Sequence, residues 1–383
     1  MERGLTGVWL PQSVEGRDYE AFLPKKLPPN PPLLWGAELI EKLSKAIENV
    51  ARLDGAARLL PDLHLFLYTY IRKEAVLSSQ IEGTQSSLSD ILMLESDVAP
   101  GAPEDDAAEV LRYVKAVDEG IRRIHLGEKI SLSMLLDLHR ILLSTGRGSD
   151  KDPGLIRTKP NWIGEKTPDR ALFVPPPPEN IDMLLEDLVE YWTKSKDHTL
   201  VKAALAHVQF ETIHPFRDGN GRIGRLLITL LLCQEKLIAE PLIYLSLFFK
   251  ENREEYYNYL QSVRATGNWE AWLTFFLEGM SAVTDSTLSM TKKIQKLFDS
   301  DLKLIRAKGG RKSRCMLELY NAIQQIPVLT ISHAGEILKN SISKPTLYAA
   351  AVELSKLGIL EVKLNKQNVQ IHIYKKYLDL LEV

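Results

Sequence analysis

The stretch His214-Pro215-Phe216-Arg217-Asp218-Gly219-Asn220-Gly221-Arg222-Ile223-Gly224-Arg225 decides how this chain is read. Upstream of it, Val201 to Ile213 places Ala204, Leu205, Val208 and Phe210 at helical spacing. Downstream, Leu226 to Cys233 is apolar on every side, the mark of a buried helix. Asp-Gly and Asn-Gly pairs usually announce a β-hairpin, but these flanks are helical and do not alternate. Asp218 to Gly221 therefore forms a glycine-rich loop between two helices. Such a loop presents unpaired backbone N–H groups at a helix N-terminus, with the helix dipole behind them, and so suits an anion. Arg222 and Arg225 lie three apart on one face of the first turn, placed to clamp a polyphosphate. Asp218 stands where a hard-oxygen ligand would hold Mg²⁺ against a nucleotide's phosphates. His214, just before the loop, can take a proton from an attacking hydroxyl. A lone histidine or a lone glycine-rich loop is more often structural; it is their convergence in one short stretch that points to chemistry.

Working outward, the organisation is mostly helical. Residues 1 to about 35 are rich in proline and aromatics (Trp9, Pro11, Tyr19, Phe22, Pro24, and Pro28 to Pro32 broken by Asn30), which predicts an extended arm. Helical spacing covers Leu39 to Ala51, Leu60 to Ser79, Ala107 to Ile124 and Leu132 to Leu143, with a loop from Val98 to Asp106. Gly146 to Pro178 is dense in glycine and proline around the strand-like pieces Ile156 to Thr158, Asn161 to Ile163 and Ala171 to Val174, which predicts a β-hairpin flap. Helical periodicity then runs from Ile181 to about Arg306. A boundary is expected at Lys308-Gly309-Gly310-Arg311-Lys312. Beyond it, helices at Ser313 to Gln325, Ser332 to Lys339 and Lys344 to Leu357, a stop at Gly358, and a hairpin of Ile359 to Leu364 and Val369 to Tyr374 around the turn Asn365 to Asn368 form a winged helix-turn-helix pattern. The expected division is an N-terminal arm with helices over 1–110, a catalytic core over 111–306 with its flap at about 153–178, and a winged-helix domain over 311–383.

Composition narrows the class. The chain has 383 residues, 45% hydrophobic and 26% charged, with a net charge of -2. That near balance argues against wholesale coating by nucleic acid or membrane. Two cysteines, Cys233 and Cys315, cannot build a disulfide framework and fit a reducing compartment. The N-terminus lacks a signal-peptide core, and the most apolar run is too short to span a bilayer, so the expected location is cytoplasmic, without a membrane.

The signature stretch resembles that of the Fic family, His-x-Phe-x-Asp/Glu-Gly-Asn-Gly-Arg-x-x-Arg, and matches it at every defined position. The resemblance implies a helical Fic core in which His214 is the general base and Asp218 binds Mg²⁺ or Mn²⁺. It implies that Gly219, Asn220, Gly221 and the following turn (Arg222, Ile223, Gly224) hold the α- and β-phosphates of ATP, while Arg222 and Arg225 steady the β- and γ-phosphates. Related Doc-type kinases carry lysine where Gly221 stands, so Gly221 favours transfer of AMP. Ser78-Ser79-Gln80-Ile81-Glu82-Gly83 is similar to the family's inhibitory motif, Ser/Thr-x-x-x-Glu-Gly/Asn. Ser78 and Glu82 share a helix face and Gly83 ends the helix; in the family this glutamate pairs with the second signature arginine, here Arg225. The segment Asn252 to Tyr257 resembles the one whose aromatic residues, here Tyr256 and Tyr257, wall the adenine. Pro153 to Arg157, Asn161-Trp162-Ile163-Gly164 and Phe173 to Pro178 resemble the family's flap, which registers a target by strand pairing at Ile163 and Gly164.

The expectation is thus a mainly α protein that moves AMP from Mg-ATP to a hydroxyl of a target protein, and of itself, restrained by Glu82. Two rivals stand beside it: removal of AMP from modified protein, and a DNA-binding regulator with the Fic core as a nucleotide sensor. The winged helix offers contact with DNA or protein through Lys344-Pro345-Thr346-Leu347-Tyr348, and a homodimer is a further candidate assembly.

Overall fold

The computed structural model describes residues 3–57, 63–96, 104–364 and 368–382. The expected helix start at Leu60, most of the loop from Val98 and most of the turn after Asn365 lie outside the described residues. The chain gathers into two compact bodies: Met1–Asp54 with Leu77–Glu82 and Arg112–Thr284, and Gly55–Val76 with Gly83–Leu111 and Asp285–Val383.

The N-terminal segment is a β-hairpin, where the sequence predicts only an extended arm. Strands β1 (Gly7–Val14) and β2 (Arg17–Pro24) pair in antiparallel register from Gly7 with Pro24 to Val14 with Arg17. The turn is Glu15-Gly16, both at positive φ, as a two-residue hairpin turn requires. Trp9 meets Phe22 edge-on across the strands at 4.9 Å, which sets the register.

Helices α1 (Ala37–Ala57), α2 (Leu63–Ile81), α3 (Leu88–Glu95), α4 (Glu104–His125) and α5 (Leu132–Leu142) follow. The short α3 is unmarked by apolar period; it is held by a capping box in which Ser87 and Asp90 accept each other's backbone N–H groups, at 3.2 and 2.8 Å. Next come α6 (Ile181–Lys194), α7 (Thr199–Ile213), α8 (Asn220–Gln234), α9 (Ser246–Glu251), α10 (Arg253–Thr266) and the long α11 (Trp269–Ala307).

At the centre of the first body α7 packs on α8. Every residue of α7 from Leu200 to Ile213 is buried, and α8 buries Ile223 to Cys233 without a break. Burial of a leucine or isoleucine side chain stabilises by about 1.5–3 kcal/mol, so this pair anchors the loop between its ends. In the flap, Ile163 and Phe173 form a single antiparallel bridge. The prolines at 160, 168 and 175 to 178 lack N–H donors, and they stop the ladder from extending.

In the second body α12 (Gly310–Gln325), β3 (Val328–Leu329), α13 (Ile331–Ile337), α14 (Lys344–Lys356), β4 (Glu361–Leu364) and β5 (Gln370–Ile373) follow in that order, with an antiparallel sheet in the order β3-β5-β4. A last helix, α15 (Lys375–Glu382), goes beyond the expected pattern; it buries Tyr377, Leu378 and Leu381.

Candidate active site

The loop between α7 and α8 is built by its own side chains. His214 ends α7 in the left-handed region, at φ 50 and ψ 60. That conformation costs a non-glycine residue about 1–3 kcal/mol unless its surroundings over-determine it. Asn220 closes the loop, accepting from the Phe216 N–H at 2.9 Å and donating to the Phe216 carbonyl at 2.8 Å. Gly219 caps α8 at φ 80 with no side-chain hydrogen bond to the first turn, so the N–H groups that open α8 point toward the site without a protein cap. Behind them Arg222 and Arg225 are buried, at 1% and 3% exposure.

Two histidines that the sequence reading overlooks hold this loop and helix in place. The Nδ1 of His139 accepts from the Gly154 N–H at 2.8 Å, so its Nε2 carries the proton and donates to the Asp218 carbonyl at 3.0 Å. Its ring stacks on Phe216 at 3.8 Å, and burial lowers its pKa to about 4, which keeps it neutral. His207 bridges the Gly224 carbonyl (2.9 Å) and the Tyr256 hydroxyl (2.8 Å). Nothing local in sequence marks either residue, because every partner is distant in the chain.

His214 is brought beside the cradle with its Nδ1 buried and without a partner among the described residues. Burial first, then the Arg157 and Arg264 guanidinium groups, lower its pKa to about 3. The imidazole is therefore neutral at ordinary pH, the form a base needs. Both arginines cap α7: Arg264 donates to the Glu211 carbonyl at 3.1 Å, and Arg157 to the His214 carbonyl at 2.9 Å. Glu211 is a buried carboxyl whose Oε1 has no hydrogen-bond partner among the described residues; burial pushes it up to about 7.

Glu82 and Ser78 meet Arg225 directly. The Arg225 Nη2 donates to Glu82 Oε1 at 2.7 Å and to the Ser78 carbonyl at 2.9 Å, and its Nε donates to Ser78 Oγ at 2.8 Å. Burial alone would raise the Glu82 pKa, but Arg225, with help from Arg222, holds the carboxylate below its usual range. The carboxylate also presses on the first turn of α8: a Cβ at Gly221 would lie 2.2 Å from Glu82 Oε1. Arg147 and Arg253 donate to the Glu82 and Ile81 carbonyls at 3.3 and 3.1 Å, fixing this helix end with the positive charge that its dipole favours.

The two tyrosines part company. Tyr256 is 1% exposed and stacks on Phe249 at 4.5 Å inside the aromatic core, whereas Tyr257 is 42% exposed beside Arg253. In the flap, the Ile163 N–H donates to the Phe173 carbonyl and its carbonyl accepts from Leu172, both at 2.9 Å. Gly164 is exposed at φ 106, and a Cβ there would run into Leu172.

Asp218 is the sole predicted metal ligand. Its Oδ1 accepts from the Gly219 N–H at 2.6 Å and from Arg222 at 3.4 Å, and Gly148 leaves room beside Oδ2, where a Cβ would come within 2.9 Å. Among the described residues no three His, Cys, Asp or Glu side chains gather into a metal cluster. One carboxylate oxygen fits a Mg²⁺ ion held mainly by a nucleotide's own phosphates, not a resident all-protein site.

What this geometry defines is a helical core in which two buried arginines at one helix N-terminus lie beside an internal carboxylate. Comparison with known proteins shows what the chain resembles. Residues 129–232 match the Fic/DOC family, and residues 40–122 match the Fic/DOC family N-terminal region. The chain carries both regions that mark the Fic/DOC family. It is 28% identical over 276 residues to the protein adenylyltransferase Fic of Aedes aegypti, which covers 67% of this chain and 51% of that protein. It is 30% identical over 203 residues to the protein adenylyltransferase fic-1 of Caenorhabditis elegans, covering 50% of this chain and 35% of that protein. The chain thus spans about half the length of the mosquito relative and about a third of the nematode one. A Fic family protein from Desulfovibrio desulfuricans G20 shares the fold, with a TM-score of 0.56 at 21% identity over 90% of this chain and 97% of that one. No helix among the described residues is long and apolar enough to cross a membrane.

Proposed function

We propose that this chain is a protein adenylyltransferase that moves AMP from Mg-ATP to a hydroxyl of a target protein and of itself, restrained by Glu82. The observation that carries the reading is the Glu82–Arg225 pair lying against the uncapped N-terminus of α8. An internal carboxylate there stands where a terminal phosphate would be expected. In the reaction the hydroxyl oxygen attacks the α-phosphorus, the bond from that phosphorus to the bridging oxygen breaks, and pyrophosphate leaves. His214 takes the hydroxyl proton. The opening turn of α8, Gly219 to Gly224, would hold the α- and β-phosphates, and Arg222 and Arg225 the β- and γ-phosphates. Catalysis is then positioning plus charge stabilisation. Asp218 would hold Mg²⁺ or Mn²⁺, which when bound neutralises the phosphate charge.

Exposed Tyr257 is the better placed of the two tyrosines to face an adenine, and the Ile163–Gly164 edge, half-buried at Ile163 and exposed at Gly164, to pair with a target strand. The winged helix serves as a contact module: Tyr348 and Val352 on α14 are 45% and 53% exposed, which favours a protein partner over DNA. Free Cys233 and Cys315 fit a reducing, cytoplasmic setting. Incubation with labelled ATP and Mg²⁺, followed by intact-mass measurement, tests the reading. A mass gain of one AMP per chain or per target is expected, and a nucleotide sensor would acquire no covalent label.

A further inference from the structure

We propose that Arg157 is the positioning residue of His214, tying the flap to that base; this rests on the adenylyltransferase reading above. Arg157 belongs to the Pro153-Gly154-Leu155-Ile156-Arg157 run at the start of the flap and is 1% exposed. Among the described residues no carboxylate lies within ion-pair distance of it. Its guanidinium is spent on carbonyls instead: Nε donates to His214 at 2.9 Å, Nη2 to Pro176 at 2.6 Å and more distantly to Ile213 at 3.5 Å, and Nη1 to Lys159 at 3.3 Å. Its own backbone N–H donates to the Pro215 carbonyl at 2.9 Å.

A buried cation without a counter-ion is costly to keep, and burial lowers the pKa of this one to about 10. The negative end of α7 offsets part of that cost. The arrangement also has a geometric product. The residue whose carbonyl Arg157 grips is the base itself, in a left-handed conformation that histidine seldom adopts. The same guanidinium grips Pro176, two residues past Val174, whose carbonyl accepts from the Phe22 N–H at 2.9 Å. Flap and base therefore share one rigid planar fork, and a shift of either end is felt at the other.

The groups that act on the His214 ring are Arg157 from the flap, Arg264 from α10, Glu82 just past the end of α2 and the Glu211 main chain of α7. The two cations depress its protonation, and Glu82 and the Glu211 main chain oppose them. Removing Arg157 should thus raise the pH at which His214 titrates; mere loosening of the flap would also raise it by admitting water, but would do so in Arg157→Lys as well, where the charge is kept.

The test uses Arg157→Met, Arg157→Lys and Arg157→Ala. The first arm needs no activity: the His214 ring, assigned by its loss in His214→Ala, is titrated by NMR in the wild type and each folded variant. In Arg157→Met it should titrate at higher pH, and in Arg157→Lys, which keeps the charge, close to the wild type. The second arm measures AMP transfer in the Glu82→Gly background. There Arg157→Met and Arg157→Lys should lower kcat by roughly ten- to hundredfold, with KM for ATP little changed, and added guanidinium should restore part of the rate to Arg157→Ala. An unmoved His214 titration in folded Arg157→Met overturns the proposal, as does an unchanged kcat, and so does failure of all three variants to fold, which would make Arg157 purely structural. If the Glu82→Gly parent transfers no AMP, the adenylyltransferase reading fails, and the NMR arm still decides the role of Arg157.

Discussion

Glu82→Gln removes one charge at almost constant size, and it should make the protein faster. The Arg225 side chain is 2% exposed, that of Glu82 is 30% exposed, and they meet at 2.7 Å. A charge-assisted pair in such surroundings is worth about 1.5–3 kcal/mol. If all of that energy reappears as alignment of the α-phosphorus, the rate rises roughly ten- to hundredfold. Glu82→Gly should do at least as well, because it also clears the carboxylate from the face of Gly221, where a Cβ would lie 2.2 Å from Oε1. The assay is the initial rate of AMP incorporation from α-labelled ATP, with His214→Ala as the zero.

Arg225→Ala placed in the Glu82→Gly background should erase the gain, because the freed residue is then gone. A companion effect separates release from general loosening. Without ligand, Glu82→Gln should be less stable than wild type by about 1–3 kcal/mol, because the buried Arg225 cation loses its counter-charge and keeps only neutral acceptors. ATP should restore more stability to the variant than it adds to the wild type. The pH dependence carries the opposite sign from a histidine switch. The Glu82 carboxyl titrates below its usual range, so the pair is intact across neutral pH and its contribution is lost only as pH falls through the folded value. Rates for both Glu82 variants at or below wild type would refute the reasoning. Slower loss of AMP from pre-modified protein in the same variants would favour AMP removal as the native activity.

Three further outcomes follow from the site. His214→Ala should abolish labelling while a thermal-shift titration still shows ATP binding, since only proton removal is lost; retained labelling would assign the base elsewhere. Asp218→Ala should depress labelling strongly, and wild-type labelling should stop in excess chelator, because one oxygen fixes the ion between phosphates; full activity of the variant would remove Asp218 from the reaction. Glu211, with its carboxyl pushed up to about 7, binds a proton more tightly folded than unfolded. Its contribution is fully present below the unfolded value and lost as pH rises through about 7. Glu211→Gln should therefore flatten the fall in Tm on passing from mildly acidic to mildly alkaline buffer, and an unchanged Tm profile would contradict the assignment.

The parts legible in the sequence are those whose meaning is local. The loop from Asp218 to Gly221 is short, its flanks are long and apolar, and Ser78 and Glu82 share a face simply by being four apart. The hairpin of β1 and β2 escaped because its prolines suggest an arm, while its pairing depends on the two-residue turn Glu15-Gly16, which is not one of the strong hairpin dipeptides. Tyr256 was within reach: with Leu260 and Val263 it completes a buried i, i+4, i+7 face, so period alone assigns it to the core and leaves Tyr257 outside. His139, His207, Arg157 and Arg264 were not within reach. Each acts mainly through groups that are far along the chain from it, and neither spacing nor composition registers a contact that only the tertiary fold creates.

The same physics that suits the N-terminus of α8 to an anion explains why it carries an internal acid. An uncapped helix N-terminus backed by two buried arginines is a region of strong positive potential, and burying it without an anion leaves donors and charge unsatisfied. Ser78 and Glu82 satisfy Arg225 from within the chain, and in doing so occupy the space that Gly221 keeps open for a ligand's backbone approach. Folding and restraint thus draw on one interaction. A stabilised ground state without ligand requires that something anionic fill the cradle, and whatever fills it must be displaced, or pushed aside, before a terminal phosphate can reach Arg225. Under the proposed function the brake would in that sense be a consequence of how the site is kept stable while empty, with Arg225 the residue for which both occupants compete.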